Sequence, residues 1–243
     1  MNSKKFYDSF HEKSKHSLKL INSSSFTYGP LLSVITDELT NEPISILDYG
    51  CGVGSLSLYF GSKGNTVVGV DISKIATALA NESALNLGLS SNCKFMNMRS
   101  LKKEERFDLI LCIEVIEHIQ KDKELLQRLH ALCKKNGKII LSTPSLNAPL
   151  YKLGLLKGFD VEVGHLRRYN IRSLVNLMYG SGFKIKRIIK KEGIFRNGLF
   201  TLKPLGKLIK FLKGPIGQAV NVIDGLIIPV FGESDLILIA TKK

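Results

Sequence analysis

The chain has 243 residues, 44% of them hydrophobic, and 35 Lys and Arg against 21 Asp and Glu give it a formal net charge of +14. That much apolar material sustains a sizeable core and excludes a disordered chain. Cys51, Cys93, Cys112 and Cys133 are dispersed without C-x-x-C spacing and read as small buried residues of a reduced, cytoplasmic protein.

The polar start MNSKKFYDSFHEKSKHS lacks an apolar signal core, and no apolar run reaches the length of a membrane span. No repeat or low-complexity linker divides the chain, so residues 1–243 are expected to form a single domain. Its parts are N-terminal helices over 1–43, an α/β core over 44–192, a helical insertion over 193–232 and a last strand over 233–243. Twelve Lys and Arg against four acids fall from Ser181 to Lys243. This basic end suits a polyanionic partner such as RNA, anionic lipid headgroups or a phosphate-bearing substrate, and equally suits simple solubility.

Taken in order, Tyr7 to Ile21 and Pro30 to Leu39 carry apolar residues at helical spacing. Solvated positions are the plain reading of Tyr7, His11 and His16, with substrate contact the alternative. Ile44 to Phe60, ISILDYGCGVGSLSLYF, reads as a buried strand, a glycine-rich turn and a helix starting at Ser55. Glycines are needed where the chain turns sharply and where a ligand approaches bare backbone. The absence of Gly-Lys-Ser/Thr rules out a P-loop, and Gly50, Gly52 and Gly54 do not fit G-x-G-x-x-G. A second strand, Thr66 to Asp71, ends in an acid, followed by a helix from Ser73. At the tip of a βαβ unit Asp71 can accept from two ribose hydroxyls, or it can cap the following helix.

Cys93 to Asn97 reads as the third strand and Phe107 to Ile113 as the fourth, with Glu114 at its carboxyl tip and Glu117 and His118 one turn on. Asn136-Gly137 turns into a fifth strand, Lys138 to Thr143, which Pro144 ends. A long irregular loop follows, containing Gly164-His165-Leu166-Arg167-Arg168-Tyr169, and Asn170 caps the next helix. Phe183 to Lys190 and Asp235 to Thr241 supply the last two strands. Between them, Leu202, Leu205, Leu208, Ile209 and Leu212 share one helical face opposite Lys203, Lys207, Lys210 and Lys213. Such a basic amphipathic helix rests on an anionic membrane surface or packs as a cap over a substrate cleft. VIDGLIIPVF continues the apolar character but is too short to span.

The Asp48-x-Gly50-x-Gly52-x-Gly54 pattern, with Asp71 closing the next strand, resembles the nucleotide-binding turn of class I S-adenosylmethionine-dependent methyltransferases. The resemblance implies a Rossmann-like, seven-stranded, mostly parallel sheet with helices on both faces. It also implies S-adenosyl-L-methionine as cofactor, its amino-acid end held by Asp48 and the glycines and its ribose by Asp71. Asn97 stands where the family often has an acid that accepts from the adenine amino group, and its side-chain carbonyl can do the same. The Met98 amide is a further adenine contact, and Ile72 and Ile113 complete the implied cofactor set.

Glu114-Val115-Ile116-Glu117-His118 resembles the string found in ubiquinone-type O-methyltransferases and in small-RNA 2′-O-methyltransferases, where it holds a divalent metal against the acceptor hydroxyl. A histidine from the region of His165 supplies the fourth ligand in the RNA-modifying subgroup. Glu114, Glu117, His118 and His165 are therefore the implied ligands of Mg2+ or Mn2+, with His165, His118 and Glu117 the catalytic residues. A bound ion would lower the hydroxyl's pKa, a direct general base would serve the same end, and a helix start is the structural alternative for Glu117 and His118. The expected activity is O-methylation of a small-molecule, glycan or lipid-linked acceptor. An RNA 2′-O-methyltransferase and a non-catalytic cofactor-binding module are the rivals.

Overall fold

The computed structural model describes Asp8, residues 20–207 and residues 214–243. The expected helix over Tyr7 to Ile21, with Tyr7, His11 and His16, and half of the expected basic helix, with Leu208, Ile209, Lys210, Leu212 and Lys213, lie outside the described residues.

Helix α1 (Gly29–Thr36) precedes strand β1 (Ser45–Tyr49), helix α2 (Ser55–Gly61) and strand β2 (Thr66–Asp71). Helix α3 (Lys74–Asn86), β3 (Cys93–Asn97), β4 (Phe107–Ile113), a short 3-10 turn (Ile116–His118), α4 (Asp122–Leu132) and β5 (Cys133–Pro144) follow. The expected turn at Asn136-Gly137 lies inside β5. Asn136 takes φ 63° and the pairing with β4 shifts register between Phe107 and Leu109, so the extra residues are absorbed as a bulge. The expected irregular loop folds in part into α5 (Pro149–Lys152) and α6 (Lys157–Val163) before α7 (Ile171–Gly180) and β6 (Phe183–Lys191). Helices α8 (Ile194–Thr201), α9 (Lys203–Gly206) and α10 (Gly214–Phe231) then lead to β7 (Asp235–Lys242).

The seven strands form one sheet in the order β3-β2-β1-β4-β5-β7-β6. All pairs among the first five positions are parallel, and β7 runs antiparallel to both β5 and β6. Successive strand residues point to opposite faces, and both faces are buried. Leu47, Ile110, Leu141 and Leu238 join α4 and α7 on one side. Ile46, Leu109, Ile140 and Ile237 join α1 to α3 on the other. This double burial explains why the strands read as continuous apolar runs rather than alternating ones. It also places the carboxyl ends of β1, β2 and β4 along one edge, where open α/β sheets bind ligands.

The insertion departs from expectation. Instead of a short apolar tail, α10 is an 18-residue helix, the one helix among the described residues that is long and apolar enough, by length and composition, to cross a membrane. Its Asp224 accepts from the backbone N–H of Gly193 at 2.7 Å, Phe195 at 2.8 Å and Arg196 at 3.3 Å, capping α8 from another helix. Arg196 is buried against the rings of Phe26 and Phe200, which stack on each other. It donates to the Phe26 carbonyl and to Asn221, tying the insertion to the segment before α1.

Candidate active site

The glycine turn between β1 and α2 bends through left-handed backbone, with φ of 82°, 53° and 81° at Gly50, Gly52 and Gly54. A Cβ on Gly54 would sit 2.7 Å from the Phe95 ring, so bulk is excluded as well as strain. Asp71, at the tip of β2, locks the turn to the next helix. One of its oxygens accepts from Gly52 N–H at 3.0 Å and the other from Ser73 N–H at 2.8 Å. The cap of α3 is Ser73 itself, whose hydroxyl accepts from Ala76 N–H. Asp71 is therefore not that helix's cap, and each of its oxygens keeps a lone pair toward the edge of the sheet.

Asp48 is buried beneath the turn and accepts from Ser57 Oγ at 2.6 Å. Burial pushes its carboxyl up to about 6, against the Ser57 bond. Asn97 donates to the Ile72 carbonyl and accepts from Arg99 N–H, which fixes its amide beside Ile72. The Met98 N–H, expected to meet adenine, donates instead to the Asp71 carbonyl at 3.0 Å. What Met98 leaves to a ligand is its partly buried side chain. Ile113, also partly buried, ends β4.

The structure splits the Glu-x-x-Glu-His string. Glu114 takes φ 54°, an uncommon value for a residue with a side chain, and its carboxylate accepts from Ser142 Oγ at 2.6 Å. Glu117 accepts from Thr143 Oγ1 at 3.0 Å. The two carboxylates thus bond neighbouring hydroxyls of β5, and the Glu114 charge still helps to raise the Glu117 carboxyl. Glu114 is not among the residues whose ligand atoms converge. The residue is exposed as a whole, but desolvation of its carboxyl raises the pKa to about 7. Burial, together with the Glu114 charge, holds Asp235 well above the carboxylate range.

Glu117, His118 and His165 do converge, with one ligand atom from each within 4.8 Å of the others. Glu117 is fully buried, with Oε1 3.6 Å from His118 Nε2 and 4.0 Å from His165 Nε2. The far side of each ring is held: His118 Nδ1 faces the Gly164 carbonyl at 3.0 Å and His165 Nδ1 faces Asp160 Oδ1 at 2.9 Å. Both partners accept, so both Nδ1 atoms carry the proton and both Nε2 lone pairs point inward. Burial lowers the pKa of both rings, that of His165 to about 4 despite Asp160. Neutral imidazoles and the Glu117 carboxyl therefore converge, and Glu117 Oε1 has no hydrogen-bond partner among the described residues. Burial drives Glu117 well above the carboxylate range.

An orphaned buried oxygen facing two imidazole nitrogens is a donor set that fits a divalent transition ion, and oriented Nδ1 contacts are what such ligands require. Sequence reasoning missed the supports. Asp160, in the first turn of α6, is gripped through both oxygens by Arg168, at 2.9 and 2.6 Å. That guanidinium, with His165, holds the Asp160 carboxyl below its ordinary range although burial opposes it. The only signal for Asp160 was a carboxylate five residues before His165, across a glycine that ends a helix. Arg167, beside it, pairs with Asp122 at 2.8 Å, as does the Tyr169 hydroxyl. A cavity of about 630 Å3 shares no lining residue with the glycine turn or the histidine cluster.

A family model described as a methyltransferase domain matches residues 27–188. Among curated proteins, the chain is 33% identical over 121 residues to a ubiquinone biosynthesis O-methyltransferase of Coxiella burnetii, covering 49% of this chain and 52% of that protein. A Pseudomonas syringae protein of the same description is 32% identical over 108 residues, covering 44% and 47%. The chain thus spans about half the length of the curated relatives it matches. Among solved structures, the magnesium protoporphyrin IX methyltransferase of Synechocystis with bound SAH aligns with TM-score 0.65 at 16% identity, covering 99% of this chain and 98% of that one. A Haemonchus contortus phosphoethanolamine N-methyltransferase in complex with S-adenosyl-L-methionine aligns with TM-score 0.66 at 16% identity, covering 98% and 60%. At these identities the likeness is one of fold.

Proposed function

Because this chain belongs to the class I S-adenosylmethionine-dependent methyltransferase family, we propose that it moves the cofactor's methyl group to a hydroxyl oxygen of a small-molecule, glycan or lipid-linked acceptor. The observation that carries the choice of oxygen is the convergence of Glu117, His118 and His165 on one point. An oxygen nucleophile must shed its proton to attack a sulfonium methyl group, whereas an amine can arrive unprotonated. A buried cluster of proton acceptors beside the cofactor edge serves the first task.

Cofactor binding falls to the turn and the strand tips. Gly50, Gly52 and Gly54 with Asp48 receive the amino-acid end, and the free lone pairs of Asp71 accept from the ribose hydroxyls. Ile72, Asn97, Met98 and Ile113 bound the adenine. Neighbouring pairing of β1 with β4 sets the turn beside the start of the Glu117 turn, so the methyl group and the proton acceptors come to adjoining parts of one edge.

Glu117 with the two Nε2 atoms is the site for a divalent ion, Mg2+ or Mn2+ in the relatives the motif resembles, and two imidazoles also suit softer ions. Such an ion, when bound, supplies Lewis acidity that lowers the acceptor hydroxyl's pKa. The chain's own part is to hold both histidines neutral and aimed and to keep water from Glu117; where no ion is bound, an Nε2 lone pair is the proton's destination. Both the small-acceptor and the RNA readings use Glu117 and His118, and the smaller acceptors are favoured by the curated relatives, which are described as ubiquinone biosynthesis O-methyltransferases.

The test is methyl transfer from radiolabelled S-adenosylmethionine to a catechol panel and to RNA 3′ ends, with and without a chelator. We expect hydroxyl methylation of the small acceptors, lowered about 10²- to 10⁴-fold in Glu117→Ala and in His165→Ala. Turnover that survives both substitutions, or product methylated at nitrogen, would overturn the assignment.

A further inference from the structure

Helix α10 is built inside out. Its 18 residues include one charged side chain, Asp224, and that carboxylate points inward to cap α8. Asn221 also turns inward, accepting from Arg196 at 2.8 Å, and Gly217 and Ile228 complete the buried side. The outward side carries Ile216, Ile223, Leu226 and Val230, which are 62%, 51%, 74% and 79% exposed. Their spacing of seven, three and four residues makes one stripe along the helix. A surface helix of a soluble domain shows the reverse pattern, apolar in and polar out.

Three observations choose what covers this stripe. It contains branched aliphatics and none of the Trp, Tyr or Arg that anchor protein interfaces, which suits acyl chains better than a protein partner. The segment leading into the helix, 203–213, carries Lys203, Lys207, Lys210 and Lys213 and no acid, and the whole chain has a net charge of +14. Basic residues next to an apolar face complement anionic headgroups. A crossing pose is disfavoured, because Asp224 and Asn221 would have to leave α8 and enter hydrocarbon unpartnered.

We propose that the outer stripe of α10 docks flat on an anionic bilayer, with the helix lying in the membrane plane. The 630 Å3 cavity then lies directly under the docked helix, since Asn221, Val222, Gly225 and Pro229 form part of its wall and Lys190 and Lys191 another part. An acceptor with a lipid tail would meet the enzyme from that side. Vesicle binding needs no turnover, so docking can fail while methyl transfer stands, and the converse.

The experiment is cosedimentation of the full chain with vesicles of phosphatidylcholine alone and of phosphatidylcholine with 30% phosphatidylglycerol, for wild type, Ile223→Glu and Leu226→Glu. Both positions are exposed and neither lines the cavity, so the fold should persist, as unchanged S-adenosylhomocysteine binding would verify. Expected are partition to the anionic vesicles at least tenfold above the neutral ones and at least a tenfold loss in each variant. Equal binding to both vesicle types, no binding to either, or binding that the substitutions leave intact would overturn docking. A wild-type dimer in sedimentation velocity that Leu226→Glu converts to monomer, without vesicle binding, would give the stripe to a second copy and overturn it too.

Discussion

Glu114 and Glu117 are one helical turn apart in sequence, and their spacing invites grouping them in one metal site. The structure separates them because Glu114 sits in left-handed backbone and bonds Ser142, while Glu117 bonds Thr143. Residue order shows neither feature, since a non-glycine residue at positive φ leaves no mark on its neighbours' types. His165 was legible from the short motif around it; the carboxylate that orients it was not. Asp160→Ala should weaken metal affinity by about 10- to 100-fold, the range for losing a histidine's outer partner, as fluorescence-monitored metal competition would measure, and should also lower stability by leaving the buried Arg168 unpaired. Asp48 gives a pH signature. Its folded pKa, about 6, lies above the unfolded value, so its protonated form favours the fold. That contribution is full below the unfolded pKa and is lost as pH rises toward and through about 6. Asp48→Asn, which keeps an acceptor for Ser57 without titrating, should therefore gain about 1–3 kcal/mol on wild type at pH 8 and nothing at pH 3.5. Chemical denaturation at the two pH values checks this, and an equal difference at both would refute it.

The element most open to sequence reasoning was the β1-turn-α2 unit, because left-handed glycines have few substitutes and a parallel strand buried on both faces has a plain composition. Gly54→Ala should cost about 1–3 kcal/mol in stability, from positive φ and from the Phe95 ring, and should weaken cofactor binding with it. Calorimetric unfolding and S-adenosylhomocysteine titration would show both. The insertion was far less legible. Asp224 and Pro229 interrupt the apolar run of α10, so the run looked too short to be one helix. In the fold Asp224 finds its donors on α8, a contact between residues about thirty positions apart that local pattern cannot show. Asp224→Ala should lose about 1–2 kcal/mol through the uncapped helix, with amide exchange accelerating in α8 while β1 to β5 stay protected.

Across the molecule, the two halves of the sheet differ in what the chain has invested in them. The parallel half, β3-β2-β1-β4, carries the cofactor turn and its fastening through Asp71, and the methyltransferase model covers it whole and runs on through β5 into β6. The antiparallel end, β5-β7-β6, carries the insertion, the second acidic group of Glu114 and Asp235, and much of the positive charge. The family model stops at residue 188, before α8 begins. Family membership was legible in the sequence because the glycine turn and Asp71 are local patterns; the acceptor was not, because no local pattern records it.

Whether the acceptor's proton is handled at Glu117, His118 and His165 decides the account. The direct measurement is calorimetric titration of Mn2+ into the protein saturated with S-adenosylhomocysteine, for wild type, Glu114→Ala and Glu117→Ala. One ion binding to wild type and to Glu114→Ala, with none to Glu117→Ala, is the predicted result. Binding that survives loss of Glu117, or that vanishes with Glu114 alone, would contradict it.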